Sequence, residues 1–334
     1  MNYTKWLGVD VSKDKLDVAV YDGKRHHNYE IVNEIKSITK FFKKNAPVTC
    51  THVIMEATGI YHMVLFTRLS ELGYSVSVVN PLVIKRYSQM RLIRAKTDKV
   101  DARLIAEYGY NQKPELSKLP SEEQVNITSR LKAINSFQNL NLMLSNKIHA
   151  LKSSGTNDKL VIKEYMLSIK ANKRSIERLE NQIMEIVREN FQDEYDLLVK
   201  IPGVGFKTAS LTIGFFSRFE DFETAKQVVG FVGLNPNPRE SGSSVMRGSN
   251  ISKKGNPLVR KILYEASLSA SQYNPDCKEL YVRLLSKGMP KTKCRVAVAH
   301  KLLRQIFAVL KYERDWCPSY HKQRNYCHSQ NFRY

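Results

Sequence analysis

Apolar positions over residues 5–110 follow two rhythms, a period of two and a period of three to four. Residues 6–10 and 15–21 carry strand-like runs, and the turn Ser12-Lys13-Asp14 between them predicts a hairpin. Residues 27–32 predict a third strand. Over 34–45 the spacing becomes helical, with Ile35, Ile38, Phe41 and Phe42 on one side. A strand at 51–57, a helix at 61–72 and a strand at 75–79 follow, the last closed by Asn80-Pro81. Helical spacing resumes from Leu82 and again across 98–108. Strands interleaved with helices in this way predict an α/β domain with a mixed sheet over residues 1–120.

The texture changes over residues 121–192. Apolar residues recur at Ile127, Leu131, Ile134, Phe137, Leu140, Leu144, Ile148 and Leu151, then at Ile176, Leu179, Ile183 and Ile186. Spacings of three and four mark narrow helical seams, and the segment Ser153-Ser154-Gly155-Thr156-Asn157-Asp158 interrupts them. Two long helices, folded back or bent, are expected, the first reaching roughly 45 Å at about 1.5 Å per residue. A spacer within one subunit and a dimerising arm both suit such a segment. Residues 193–312 predict a compact, mostly helical region, and 313–334 a basic tail with little core.

Charge narrows the partner. Lys and Arg total 53 against 32 Asp and Glu, a formal net charge of +21. Such an excess favours a polyanion, because each phosphate neutralised releases condensed counterions. At 42 % apolar residues the chain has enough to build cores. No run of about 18 uncharged apolar residues occurs, so no membrane partner is expected. The N-terminus meets Asp10 too early to hold a secretory apolar segment; a cytoplasmic, nucleoid-associated protein is expected. Five cysteines form no CxxC pair and suggest reduced thiols. Cys317, His321, Cys327 and His328 match no common zinc-ligand spacing.

Against that background four acids stand out. Asp10 ends the apolar run LGVD, and Glu56 sits late in HVIMEA, where a charge is costly unless paired or metal-bound. Asp98 and Asp101, in KTDKVDARLIAEYG, lie three apart and share a helix face. Close carboxylates repel unless a cation sits between them. Two strand acids and a helical pair form an oxygen donor set suited to Mg²⁺, the ion that clamps the attacking and leaving oxygens of a phosphodiester. Each signal alone also describes a turn residue or a solvated helix face. Upstream, Arg91, Arg94, Lys96 and Lys99 are placed to receive phosphates.

Further on, IPGVGFKTAS (201–210) has the hydrophobe-Pro-Gly-hydrophobe-Gly pattern of a helix-hairpin-helix, whose backbone N–H groups face a phosphate, with Lys207 adding charge. A tight interhelical turn without a ligand gives the same pattern. The segment GLNPNPRESGSSVMRGSNISKKGNPLVRKIL offers Arg239, Arg247, Lys253, Lys254, Arg260 and Lys261 to a nucleic-acid backbone. It also carries Ser241, Ser243, Ser244, Ser249 and Ser252. A nucleophilic serine needs a base, a metal or cationic neighbours, and spacing does not choose among the five.

Taken in order, GVDVSKDKLDVAV, MEATGIYH, VVNPLVIKRYSQ with AKTDKVDARLIAEY, IPGVGFKTAS and GFVGLNPNPRESGSS…ISKKGN resemble the DEDD transposases of the insertion-sequence "one-ten" family, the RNA-guided bridge recombinases. The resemblance runs from about residue 5 to 312. It implies an RNase H-like (RuvC-like) N-terminal domain, a coiled-coil insertion and a C-terminal transposase domain bearing a catalytic serine. Motif by motif, the DEDD acids fall on Asp10, Glu56, Asp98 and Asp101. The serine falls on Ser241 in PRESGSS, with Ser243 and Ser244 close behind.

The resemblance further implies that Ser241 attacks a DNA phosphate to form a phosphoserine, with Mg²⁺ held by the four acids. Exchanged strands would rejoin by reversal, since the phosphoester conserves the bond energy. A structured noncoding guide RNA would pair with target and donor DNA while the protein grips backbone shape, and the subunits would assemble as dimers or tetramers. Two alternatives use the same residues otherwise: a Holliday-junction-type endonuclease with water as nucleophile, and a noncatalytic nucleic-acid-binding protein. A sugar-kinase-like ATPase would need a second glycine-rich phosphate loop, which the chain lacks.

Overall fold

The computed structural model describes residues 3–57, 61–91, 98–155, 158–239, 247–252 and 255–318; for 98–100, 236–239 and 247–250 the description is of backbone alone. The chain divides into two compact units, Met1–Pro120 and Ser121–Tyr334.

The first unit is built on a five-stranded sheet of order β3-β2-β1-β4-β5. Its strands are β1 (Lys5–Val11), β2 (Lys15–Tyr21), β3 (His26–Val32), β4 (Thr51–Glu56) and β5 (Ser75–Val79). β1, β2 and β3 pair antiparallel, while β4 and β5 run parallel to β1. A mixed sheet of this order, with helices on both faces, fits an RNase H-like domain.

Alternation along each strand decides which layer a side chain joins. Leu7, Val9 and Val11 of β1, with Leu16, Val18 and Val20 of β2, bury against Ile38 and Phe42 of α1 (Ile35–Asn45) and Leu65 of α2 (His62–Glu71). The opposite face receives α3 (Pro81–Met90) and α4 (Asp98–Gln112), where Trp6 and Ile54 pack with Ile84, Tyr87 and Ile105. Asn80 starts α3 by accepting a hydrogen bond from the Leu82 backbone at 2.9 Å, and Pro81 fills the first turn, where its missing N–H costs nothing.

The second unit begins with two antiparallel helices of 32 residues each, α5 (Glu122–Ser153) and α6 (Lys159–Asn190). A reciprocal Ser121–Gln124 capping box starts α5, and the Asp158 carboxylate caps α6. Rungs between them run from Arg130–Gln182 at 3.2 Å, through Asn141–Asn172 at 2.9 Å, to Lys147 over the Tyr165 ring at 5.9 Å. The base of this pair belongs to the core that follows. Ile127, Leu131, Ile183 and Val187 join one buried cluster with α8 (Phe206–Phe216), α9 (Ala225–Val232), α10 (Pro257–Tyr273) and α12 (Lys291–Lys311).

Between α7 (Gln192–Val199) and α8 the chain turns through Pro202 and Gly203. Gly203 has φ +98° and lies against Ala270 of α10, so both conformation and space demand glycine. The turn residues of GLNPNPRESGSSVMRGSNISKKGNPLVRKIL suit a loop against a nucleic-acid backbone. The structure instead places a two-stranded hairpin there, β6 (Pro236–Arg239) and β7 (Arg247–Ile251), with Arg239 opposite Arg247. Arg260 and Lys261, read from sequence as backbone-binding cations, turn to other work. Arg260 donates to the carbonyl of Val232, the last residue of α9, and to that of Gly255, just before α10, and Lys261 to Asn135 and Asn139 of α5.

Candidate active site

Asp10 and Glu56 are brought side by side. β1 and β4 pair in register up to Val9↔Met55, and the next step sets Asp10 next to Glu56 on strands about 4.8 Å apart. Both carboxylates project from the α4 face. Gly8, two residues before Asp10, meets the Ala102 and Ala106 backbone of α4, and Ile54, two before Glu56, meets Gly109. All three predicted acids with described side chains (Asp10, Glu56 and Asp101) are half-buried.

The direction of α4 brings the helical pair to the same end. Tyr110, near its C-terminus, packs edge-on against Trp6 at 4.7 Å, whereas Ala106 and Ala102 lie over Gly8. α4 therefore runs antiparallel to β1, and its first turn, with Asp98 and Asp101, reaches the end of the strand that carries Asp10. The Asp98 side chain lies outside the described residues.

The small residues explain the approach. Gly8, Ala19, Ala102 and Ala106 allow helix and sheet to meet almost backbone to backbone. A larger residue at any of them would lift the helix and separate its acids from those of the strands.

Among the described residues no three His, Cys, Asp or Glu side chains come together closely enough to hold a metal ion. The predicted donor set is nonetheless all oxygen. With two donors on adjacent strands and a third on the facing helix, its chemistry suits a hard divalent cation.

Other predicted contacts are placed variously. Arg91 pairs with Glu107 at 3.0 Å, and Glu107 also holds His26 at 3.0 Å. Lys207, in the first turn of α8, lies 3.9 Å from Glu180 and remains half-exposed. Arg239 and Arg247 face one another across the β6–β7 ladder. Arg94, Lys96, Ser241, Lys253 and Lys254 lie outside the described residues. Cys50, Cys277, Cys294 and Cys317 are free thiols, and burial pushes the Cys277 thiol up to about 12, so it is no nucleophile at neutral pH.

One acid beside the site was not singled out in the sequence. Asp17 is paired with Asp10 in the β1–β2 register and is buried. A signal for it existed: Asp10 and Asp17 are equidistant from the centre of the Ser12–Lys15 turn, which makes them cross-strand partners.

Comparison with known proteins places these features in context. Residues 7–151 match the transposase family model for DEDD transposases of IS110 type, and residues 195–282 match the model for transposases of the IS116/IS110/IS902 family. The chain is 28 % identical over 326 residues to the pilin gene-inverting protein of Moraxella lacunata, covering 95 % of this chain and 99 % of that one. It is 24 % identical over 347 residues to the transposase for insertion sequence element IS1111A of Coxiella burnetii, covering 95 % and 92 %. Among solved structures, T. thermophilus RuvC in complex with Holliday junction substrate aligns with a TM-score of 0.27 at 13 % identity, over 35 % of this chain and 100 % of that one.

Proposed function

Because this chain belongs to the IS110 family of transposases, we propose that it cuts and rejoins DNA, with Asp10, Glu56, Asp98 and Asp101 holding a divalent cation at the reacting phosphate. The observation that carries this reading is the placing of Asp10 and Glu56 one step beyond the Val9↔Met55 pair on parallel strands, on the face covered by the helix that bears Asp101. Mg²⁺, when bound, supplies positive charge to the oxygens of the transferring phosphoryl group. The sheet sets Asp10 and Glu56 on adjacent strands, and the small-residue contact brings the first turn of α4, with Asp101, to the same end of the sheet, which supports this reading.

Ser241 is the proposed nucleophile. Its hydroxyl oxygen forms a bond to phosphorus, the deoxyribose oxygen departs with a proton, and an incoming strand end reverses the step. No nucleotide cofactor is consumed, since one phosphoester replaces another. The formal charge of +21 supports DNA as partner, and a structured noncoding RNA is the proposed guide to target and donor sequences.

Leu142, Leu160 and Met166, on the helical pair, are 62, 77 and 59 % exposed. Apolar exposure of that order supports assembly into a dimer or tetramer through this arm.

The decisive experiment is Asp10→Ala and Glu56→Ala, assayed for strand cleavage on element-end DNA with Mg²⁺ present. Cleavage should fall by about 10³-fold or more, with DNA binding retained. Undiminished cleavage in either variant removes the carboxylate reading.

A further inference from the structure

Asp17 occupies a position that packing alone does not explain. In register, Glu30 of β3 pairs with Asp17, Asp17 pairs with Asp10, and Asp10 stands beside Glu56. Residues directly opposite in a sheet project from one face, so four acids form a row across four adjacent strands. Ala19, two residues after Asp17, packs on Ala102 and Ala106 and fixes that face as the one under α4. Asp17 is 4 % exposed. Like charges directly opposite one another destabilise a sheet, and a buried carboxylate is costly without a partner. An apolar side chain at 17 would carry neither cost.

Lys15 is the compensating group. Its Nζ lies 3.2 Å from Asp17 Oδ2 and 3.5 Å from Glu30 Oε2. The hairpin turn holds its backbone in place: Ser12 donates to the Lys15 carbonyl from both N (3.0 Å) and Oγ (2.7 Å), and the Lys15 N–H donates to Ser12 Oγ at 3.3 Å. The ammonium thus sits between the carboxylates of Asp17 and Glu30.

We propose that Lys15 and Asp17 are positioning residues that set the net charge beside Asp10, and thereby how tightly the carboxylate face holds a divalent cation. The inference rests on the metal-holding reading above and adds two residues outside the quartet. The Asp17 charge, one strand from Asp10, attracts a cation at the site. Lys15 opposes that attraction and offsets part of the Asp17 and Glu30 charge. Their effects have opposite sign, so removing both together cancels in part.

Titration of the full chain with Mn²⁺, followed by the electron paramagnetic resonance signal of the free ion, tests this without relying on activity. Asp17→Asn is expected to weaken binding by about tenfold, and Lys15→Met to tighten it by about threefold, less because the lysine is partly solvated. The double variant should lie between the two, about threefold weaker than wild type. A purely structural ion pair would give a lower unfolding midpoint in both single variants with no opposed shifts in affinity. Single variants that shift binding in the same direction, or not at all, while wild type binds, overturn the proposal. A wild-type chain that binds no Mn²⁺ at millimolar concentration overturns the metal-site reading itself, and this inference with it. The Lys15 side chain is 40 % exposed, so Lys15→Met leaves the core intact. The sign of its shift decides the matter if Asp17→Asn does not fold.

Discussion

Gly8 of β1 lies against Ala106 of α4 so closely that a Cβ on the glycine would overlap the Ala106 backbone nitrogen and the Ala102 carbonyl oxygen. Neither neighbour is a side-chain end that can swing aside. The helix must move as a body, and its first turn carries two of the four proposed cation-holding acids. Gly8→Ala should therefore destabilise the first unit by about 2–4 kcal/mol and abolish strand cleavage even where the chain stays folded. Urea unfolding and a cleavage assay on the same preparation check both parts. Full activity in this variant would show that helix and strand need not touch for the chemistry.

His52 makes acid sensitivity a second prediction. It is 2 % exposed, and its Nε2 lies 2.7 Å from Ser77 Oγ, which donates to the Glu115 carbonyl at 2.7 Å. With its single proton so directed, the serine accepts from Nε2–H, the arrangement of a neutral imidazole. Burial pushes the His52 pKa down to about 4 from an ordinary 6.5. The native state then binds fewer protons than the unfolded chain between these values. Stability is full above about pH 6.5 and declines as pH falls toward 4, by about 3 kcal/mol in all. Unfolding midpoints from pH 7.5 to 4.5 should show this decline, and His52→Gln should flatten it.

The elements were legible in the sequence wherever local pattern sufficed. Apolar alternation marks β1, β2, β4 and β5, and Asn80-Pro81 marks the start of α3. The break after Ser153 separates two helices whose seams repeat every three to four residues. Asp10 and Glu56 were legible as candidates because each is a charge in an apolar run. Their adjacency was not, since it depends on the parallel register of β1 with β4, strands more than 40 residues apart. Asp17 was hidden because one Asp in KLDVAV reads as ordinary alternation until the hairpin register sets it opposite another. Sequence offered Arg260 as a cation for a nucleic-acid backbone and gave no sign that it would bond the Val232 and Gly255 carbonyls. The β6–β7 hairpin was missed because Gly, Pro, Asn and Ser dominate the segment, the residues that pattern assigns to turns.

Gly203 supports a third prediction, in the other unit. A Cβ there would stand 2.6 Å from Ala270 Cβ and 2.7 Å from its Cα, and φ is +98°. Gly203→Ala should cost about 3 kcal/mol, roughly a third from backbone strain and the rest from overlap. Ala270→Gly in the same chain should recover only part, because the Ala270 Cα and N also lie within 3 Å. Thermal unfolding of the two single variants and the double variant measures this coupling. Additive losses would mean that α10 yields to the added methyl.

The serine assignment gives the last prediction. Ser241, Ser243 and Ser244 all lie in the segment between β6 and β7, and the ladder pairs Arg239 with Arg247 at its mouth. A hydroxyl nucleophile requires a base, a metal or cationic neighbours, and in sequence these serines are flanked by Arg239 and Arg247. The register alone does not separate the three hydroxyls, so each is replaced by alanine in turn. Incubated with end-labelled element DNA, the wild-type chain should form an adduct that survives denaturing electrophoresis. Ser241→Ala should abolish that adduct and leave DNA retardation on a native gel intact, while Ser243→Ala and Ser244→Ala retain it. Asp10→Ala should also lose the adduct, as the proposed role of the four acids at the reacting phosphate requires. If Ser241→Ala still forms the adduct and Ser243→Ala does not, the nucleophile moves two residues along. If wild type cleaves DNA with no adduct under any condition, water is the nucleophile, and the chain is an endonuclease built on the same acids.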